Sequence, residues 1–284
     1  MTPLRLIVTT GPKPTTETRE RGSLVAARLQ AAFAPRSRMT LARLMREHDA
    51  DRAYVVGRDK EYLLTPEGTL HAHPGMYYLK MEDGAVHPLI RAVQPDAAKP
   101  VERVLDGTLG MASDALHLAG HLGVEVVGVE ASPVLASLLE EGLPRMARTG
   151  RLYAAAASRV SVQHGDATEV LATLGDNTVD VVYLDPMFDV PQKASASFSL
   201  VRRLADGRPV SARLLEEGVR VARRRLVLKV GATAEAPPFE AGPGWNRRVR
   251  GGAVDYLIID HELTPTQCQW EEPTPWVEPG IYRG

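Results

Sequence analysis

Val104-Leu105-Asp106-Gly107-Thr108-Leu109-Gly110-Met111-Ala112-Ser113-Asp114 runs from an apolar strand, through a loop with two glycines, into the start of a helix. Glycines let a backbone approach a ligand closely, and the helix N-terminus that follows presents free N–H donors. In an open α/β sheet such a loop, at the carboxyl end of the first strand, lies where ligands bind. A dinucleotide site calls for G-x-G-x-x-G. Here Asp106 stands at the strand end, where a carboxylate repels pyrophosphate. An acid there suits a ligand carrying an ammonium and a sulfonium, which favours S-adenosylmethionine over NAD.

Outward from this loop, strand and helix alternate regularly, the mark of a mostly parallel sheet covered on both faces. Strands are expected at Arg103–Leu105, Glu125–Val129, Val160–Gln163, Val179–Leu184 and Arg225–Val230. Helices are expected at about Ala112–Leu122, Pro133–Arg148, Thr168–Leu174 and Ser211–Arg223. Gly251-Gly252, between β-runs at Trp245–Arg250 and Val254–Asp260, supplies the positive φ of a tight hairpin. Five parallel strands closed by an antiparallel hairpin make a seven-stranded Rossmann-like sheet over residues 93–263, of the class I methyltransferase outline.

Residues 1–92 read as a small α/β domain. It has a strand at Leu4–Val8, a turn at Gly11–Pro14, and a helix capped by Thr16 that runs to about Phe33. A second helix starts at Thr40, and β-type runs follow at Ala53–Val56, Tyr62–Leu64 and Tyr77–Met81. The proline-bounded stretch Val93–Pro100 reads as a linker, and residues 264–284 as a Pro-rich tail.

With 44% apolar and 24% charged residues, the 284-residue chain has an ordinary globular composition. Its net charge of -1 excludes a global basic field. Arginines nevertheless cluster at Arg19, Arg21, Arg36, Arg38 and Arg43, and again at Arg202, Arg203, Arg208 and Arg220–Arg225. A nucleic-acid substrate predicts a continuous arginine stripe leading to the site, and solvated helix faces are the alternative. The single Cys268 rules out an internal disulfide and a Cys-based zinc site. With no signal peptide and no apolar run of membrane length, a soluble, cytoplasmic protein is expected.

Two further acids stand in register with Asp106. Glu130 ends the second strand, at the position from which an acid reaches ribose hydroxyls, and Asp166 follows the third, where an acid meets an adenine amine. Helix capping is the alternative for each taken singly. The candidate cofactor set is Asp106, Thr108, Gly110, Ser113, Asp114, Glu130, Ala131, Asp166 and Ala167.

Val181-Val182-Tyr183-Leu184-Asp185-Pro186-Met187-Phe188 is the candidate catalytic turn. Methyl transfer to an exocyclic amine needs the nitrogen in line with the methyl group and its lone pair freed from the ring. A carboxylate (Asp185) and a backbone carbonyl (Pro186) can accept the two N–H bonds, while an aromatic face (Phe188) stacks the unpaired base. An acidic cap and a core Phe are the bland alternative. Met187, Lys193 and His73 are candidate substrate contacts. His71 and His73 share one face of an extended segment, but no third ligand accompanies them, so no metal is expected.

The turn resembles the Asp/Asn-Pro-Pro-Tyr/Phe motif of amino-methyltransferases. Its Asp-Pro-Met-Phe form looks like the RsmJ-type small-subunit ribosomal RNA guanine-N2 methyltransferases and related uncharacterised methyltransferases. Matches continue in order through Leu105–Gly110 with Ser113-Asp114, Val129–Val134, Gln192-Lys193, Val227–Lys229 and Ala236–Phe239. The resemblance covers roughly Val101–Asp260. It implies S-adenosylmethionine as cofactor, guanine N2 in ribosomal RNA as methyl acceptor, and RNA or a ribosomal particle as partner. A small-molecule or protein amine is the alternative acceptor, and a non-catalytic cofactor-binding module a third reading. Ala112 stands where such loops keep another glycine, and Asp189 where the RsmJ type has proline. The N-terminal region does not clearly match that type.

Overall fold

A computed structural model describes residues 5–186, 196–239, 244–263 and 269–270, which form two β-sheets. The smaller contains β1 (Leu6–Thr10), α1 (Thr16–Leu29), β2 (Ala32–Phe33), α2 (Leu41–Glu47), β3 (Arg52–Val56), β4 (Glu61–Thr65) and β5 (Gly68–Leu70). Strand order is β2-β1-β3-β4-β5, with β2, β1 and β3 parallel and β4 and β5 antiparallel. Thr15, one residue before the expected cap, accepts the Thr18 N–H, and α1 stops short of Phe33. It stops because Gln30 turns left-handed (φ 50°, ψ 39°), redirecting the chain into β2. Thr40 caps α2 as expected.

The run Tyr77–Met81, expected as strand, is helical: α3 spans Tyr77–Glu82, followed by α4 (Pro88–Val93). Aromatic residues favour strands only weakly, and packing decides here. Tyr77 and Met81, four residues apart, both face the core, while Tyr78 and Leu79 are exposed. Tyr77 lies on Gly120, where a Cβ would come within 2.4 Å of its hydroxyl.

The larger sheet follows through β6 (Arg103–Asp106), α5 (Ser113–Leu122), β7 (Glu125–Glu130), α6 (Pro133–Ala147), α7 (Ala154–Ala157), β8 (Val160–His164), α8 (Ala167–Ala172) and β9 (Val179–Leu184). The chain continues with α9 (Ala196–Leu204), α10 (Ala212–Val221), β10 (Ala222–Gly231), β11 (Arg247–Gly251), β12 (Val254–Asp260) and β13 (Gln269–Trp270). Its order is β13-β11-β12-β10-β9-β6-β7-β8. Strands β10, β9, β6, β7 and β8 are parallel, and β12 enters antiparallel beside β10. This is the expected seven-stranded sheet with its closing hairpin, extended at one edge by the two-residue β13.

Every residue of β9 is buried, as a central parallel strand requires. Val181 and Tyr183 pack under α3, α4 and α5; Val182 and Leu184 pack under α8 and α10. Helix α6 serves both sheets: Val134, Leu135 and Leu138 meet Val8, Tyr54, Leu63 and Leu70 of the small one. Each such side chain, fully buried, contributes about 1.5–3 kcal/mol. Arg225, inside one of the predicted arginine clusters, is buried and joins Asp260, Glu262 and the Val93 carbonyl. It therefore fastens the hairpin to α4 and offers no charge to a ligand. No described helix is long and apolar enough to cross a membrane.

Candidate active site

Asp106 ends β6 and Asp185 directly follows the adjacent β9, beside the point where the strand order reverses. The loop after β6 is tied to its surroundings by backbone bonds. Gly107 N–H donates to the Tyr183 carbonyl (2.9 Å) and Leu109 N–H to that of Val129 (3.0 Å). Gly110 has a left-handed φ of +55°, and its N–H donates to Glu130 Oε2 (2.8 Å). Ala112 also adopts a left-handed φ of +60°, which explains why a glycine suits that position. Its methyl group is fully buried.

Glu130 is held at both oxygens, since Oε1 accepts the Ser132 N–H at 2.7 Å. Burial pushes its carboxyl up to about 7, although the Ser132 and Gly110 N–H groups oppose that. Asp106 is buried too, and burial lifts it to about 8 even though the Thr108 N–H bonds its Oδ1 at 3.0 Å. Asp166 caps α8, its Oδ1 accepting from Thr168 N–H (2.8 Å) and Glu169 N–H (3.2 Å). Its other oxygen receives Arg208 at 2.5 Å. Burial alone would raise this carboxyl, but Arg208 and the cap hold it below the usual range.

Thr108 couples the two loops: its Oγ1 accepts the Asp185 N–H. Asp185 Oδ2 accepts from Lys229 Nζ at 2.8 Å, and the same ammonium reaches Asp114 Oδ2 at 3.1 Å. Asp114 further receives the Tyr183 hydroxyl (2.7 Å) and Lys80, which also donates to Ser113 Oγ (3.0 Å). Burial and the nearby Asp114 charge push Asp185 up to about 6 against the pull of Lys229, while Lys229 and Lys80 overcome burial and keep Asp114 well below the ordinary range. Asp114 thus keeps its charge, and the Asp185 carboxyl is the easier of the two to protonate.

Thr108, Gly110, Glu130, Ala131, Asp166, Ala167, Asp185 and Pro186 line one cleft. Asp106 lies beneath it; Ser113 and Asp114 belong to the neighbouring Lys80–Lys229 cluster. His73 does not line this cleft; its Nδ1 accepts the Gly75 N–H at 2.9 Å, and Gly75 stands between its ring and Ser113 Oγ. Met187, Phe188 and Lys193 lie outside the described residues. The far wall, Ala205 to Leu214, was not anticipated from sequence. Its signal was the polar turn Asp206-Gly207-Arg208-Pro209 before a Ser211-capped helix, which reads as an ordinary connection.

Residues 72–240 match the family described as "Putative SAM-dependent methyltransferase". YpiP of Bacillus subtilis (strain 168), itself uncharacterized, is 31% identical over 229 residues, covering 78% of this chain and 88% of that protein. The chain belongs to this methyltransferase family. It is an S-adenosylmethionine-dependent enzyme on a class I scaffold. Two proteins named ribosomal RNA small subunit methyltransferase J are each 32% identical. The match to the one from Alteromonas mediterranea covers 56% of this chain and 61% of the relative; that to the one from Marinobacter nauticus covers 67% and 68%. The methyltransferase thus spans about two thirds of those relatives' length. The crystal structure of an S-adenosylmethionine-dependent methyltransferase from Neisseria gonorrhoeae shares its fold, with a TM-score of 0.62, 20% identity, and coverage of 92% of this chain and 98% of that one.

Proposed function

We propose that the enzyme methylates an exocyclic base amine, guanine N2 of small-subunit ribosomal RNA, at Asp185-Pro186. The observation that carries this reading is the position of Asp185. It directly follows a central strand, in the same cleft as Glu130 and Asp166, with its carboxylate oriented by Lys229. The relatives named ribosomal RNA small subunit methyltransferase J support the choice of acceptor.

The cleft suits S-adenosylmethionine. Each Glu130 oxygen accepts one backbone N–H and retains a lone pair for a ribose hydroxyl. Asp166 can turn Oδ2 from Arg208 to an adenine amine while Oδ1 keeps capping α8. Asp106, buried beneath Thr108 with its carboxyl lifted to about 8, becomes a charged partner by releasing its proton when a cationic amino group lies above it. When bound, the cofactor supplies an electrophilic methyl group on a sulfonium. The Asp185 carboxylate and Pro186 carbonyl accept the two amine hydrogens and turn the nitrogen lone pair out of conjugation. As the N–C bond forms and the C–S bond breaks, the amine loses a proton. A carboxyl with a pKa of about 6 is matched to accept it near neutral pH. Phe188 supplies the stacking face in this scheme.

A second acceptor class, a small-molecule or protein amine, is favoured by one observation. The later arginines are neutralised: Arg208 by Asp166 and Asp206, Arg213 by Glu169, Arg220 by Asp176 and Glu217, and Arg223 by Asp180. They do not make the continuous stripe that an RNA substrate predicts. The deciding experiment transfers labelled methyl groups from S-adenosylmethionine to an extract of a strain lacking this gene, then fractionates the products. N2-methylguanosine in the RNA digest is expected. Label confined to protein or small molecules would replace the RNA reading with the second.

A further inference from the structure

The small sheet has a carboxyl edge of its own. Helix α1 packs on one face of β1 through Val25 and Ala26 against Val8, and α2 on the other through Leu44 against Ile7. Strand order therefore reverses beside β1, between β2 and β3, the kind of place where open α/β sheets take ligands. Three loops meet there: residues 11–15, 34–40 and 57–60. They are laced together by Gly11 N–H to the Val56 carbonyl (2.9 Å), Arg36 N–H to Thr10 Oγ1 (3.1 Å) and Gly57 N–H to the Lys60 carbonyl (3.2 Å). A Cβ at Gly57 would fall 2.5 Å from that carbonyl oxygen, so the last turn has no room for a side chain.

These loops carry Lys13, Arg36, Arg38, Arg58 and Lys60 against the single acid Asp59. All but the half-buried Arg36 are exposed. Among the described residues, none of these five cations forms an ion pair, and Arg36 spends its Nε on the Met39 carbonyl. The opposite edge of the same sheet differs. There Arg5 pairs with Asp49 and Asp51, Arg52 with Asp51, and Glu67 with Arg203. Unneutralised cations gathered on one loop edge, over a braced backbone, fit a partner that brings several negative charges at once.

We propose that this edge is the RNA docking surface of the enzyme, binding backbone phosphates of the substrate while the acid-lined cleft handles the methyl group. The proposal rests on the RNA reading above. Its recognition is electrostatic and indifferent to sequence, so it shows as salt dependence. The acceptor base is chosen elsewhere, at Asp185.

The test compares three proteins for binding to an unmodified small-subunit ribosomal RNA transcript across a salt series. They are wild type, the variant Lys13→Glu/Arg38→Glu/Arg58→Glu/Lys60→Glu, and a control, Lys99→Glu/Arg103→Glu/Arg148→Glu/Arg151→Glu, with the same change in net charge on exposed residues elsewhere. Unchanged affinity for S-adenosylhomocysteine certifies the fold of each. The edge variant should bind RNA about tenfold or more weakly, with the slope of log affinity against log salt reduced by roughly 2–3, because each lost single-strand phosphate contact removes about 0.7. The control should keep most of the wild-type slope. Equal slopes for edge variant and wild type would overturn the proposal and leave the RNA reading standing. Loss of binding to intact small ribosomal subunits with transcript binding unchanged would also overturn it, in favour of a protein partner. Wild type that neither binds nor methylates RNA would defeat both the RNA reading and the proposal.

Discussion

At the carboxyl edge of the large sheet the loops present Asp106, Glu130, Asp166 and Asp185; at that of the small sheet they present Lys13, Arg36, Arg38, Arg58 and Lys60. Both edges arise from parallel strands whose helices cross on opposite faces, so the topology that gathers the loops is shared. Charge and depth separate them. Asp106 and Glu130 are buried, Asp166 and Asp185 half-buried, and burial pushes Asp106, Glu130 and Asp185 upward in pKa. Such groups suit one small cationic ligand, because each interaction is strong in a low-dielectric cradle. The cations are mostly exposed, individually weak and screened by salt, which suits a polyanion that engages several together.

Breaking the acid edge should have the largest effects. Lys229→Met leaves Asp114 and Asp185 as neighbouring carboxylates without their shared cation. A loss of about 3 kcal/mol in unfolding free energy is expected by denaturant titration, together with an alkaline shift in the acidic limb of the rate profile. Glu130→Ala removes the acceptor of two backbone N–H groups. Orphaning them costs about 1–3 kcal/mol each, and calorimetry should show cofactor affinity falling by tenfold or more.

The pH response sharpens the contrast further. Burial raises Asp106 to about 8 and Glu130 to about 7, so the folded protein holds protons there that the unfolded chain has released. Their contribution favours the fold at low pH and is lost as pH rises through about 7 and 8. His71, His73, His87, His117 and His261 are shifted the other way by burial, but above about pH 7.5 they are almost wholly neutral in both states. The unliganded melting temperature should therefore fall between about pH 7.5 and 8.5, where the histidines no longer titrate, and Asp106→Asn should flatten that fall. A wild-type melting temperature that rises over this window would contradict the assignment. The smallest effect is expected at Arg208→Ala, which frees Asp166 Oδ2. Cofactor should bind about two- to fivefold more tightly, since an exposed pair is a weak competitor.

Much of the large sheet was legible because its evidence is local and repetitive: apolar strands, capped helices and acids at successive strand ends. Asp106, Glu130, Asp166 and Asp185 could be read for the same reason. Tyr77–Met81 misled because its aromatic residues follow the demands of Gly120 and α5, which lie far along the chain. Lys229 could not be tied to its partners from sequence, since Asp185 meets it only through the pairing of β9 with β10, and Asp114, on α5, only once β6 is paired with β9 as well. The Arg208–Asp166 contact across the cleft joins residues 42 apart with no shared pattern. The arginine clusters could not be divided into paired and free members until the acids opposite them were placed.

The central claim, that Asp185 orients an acceptor amine in the cofactor cleft, is tested most directly by single-turnover methyl transfer to ribosomal RNA with wild type and Asp185→Ala. Affinity for S-adenosylhomocysteine should be measured on the same preparations. Transfer should drop by about a hundredfold or more, the scale of a lost transition-state contact, with affinity nearly unchanged. Transfer at the wild-type rate in Asp185→Ala would contradict the account.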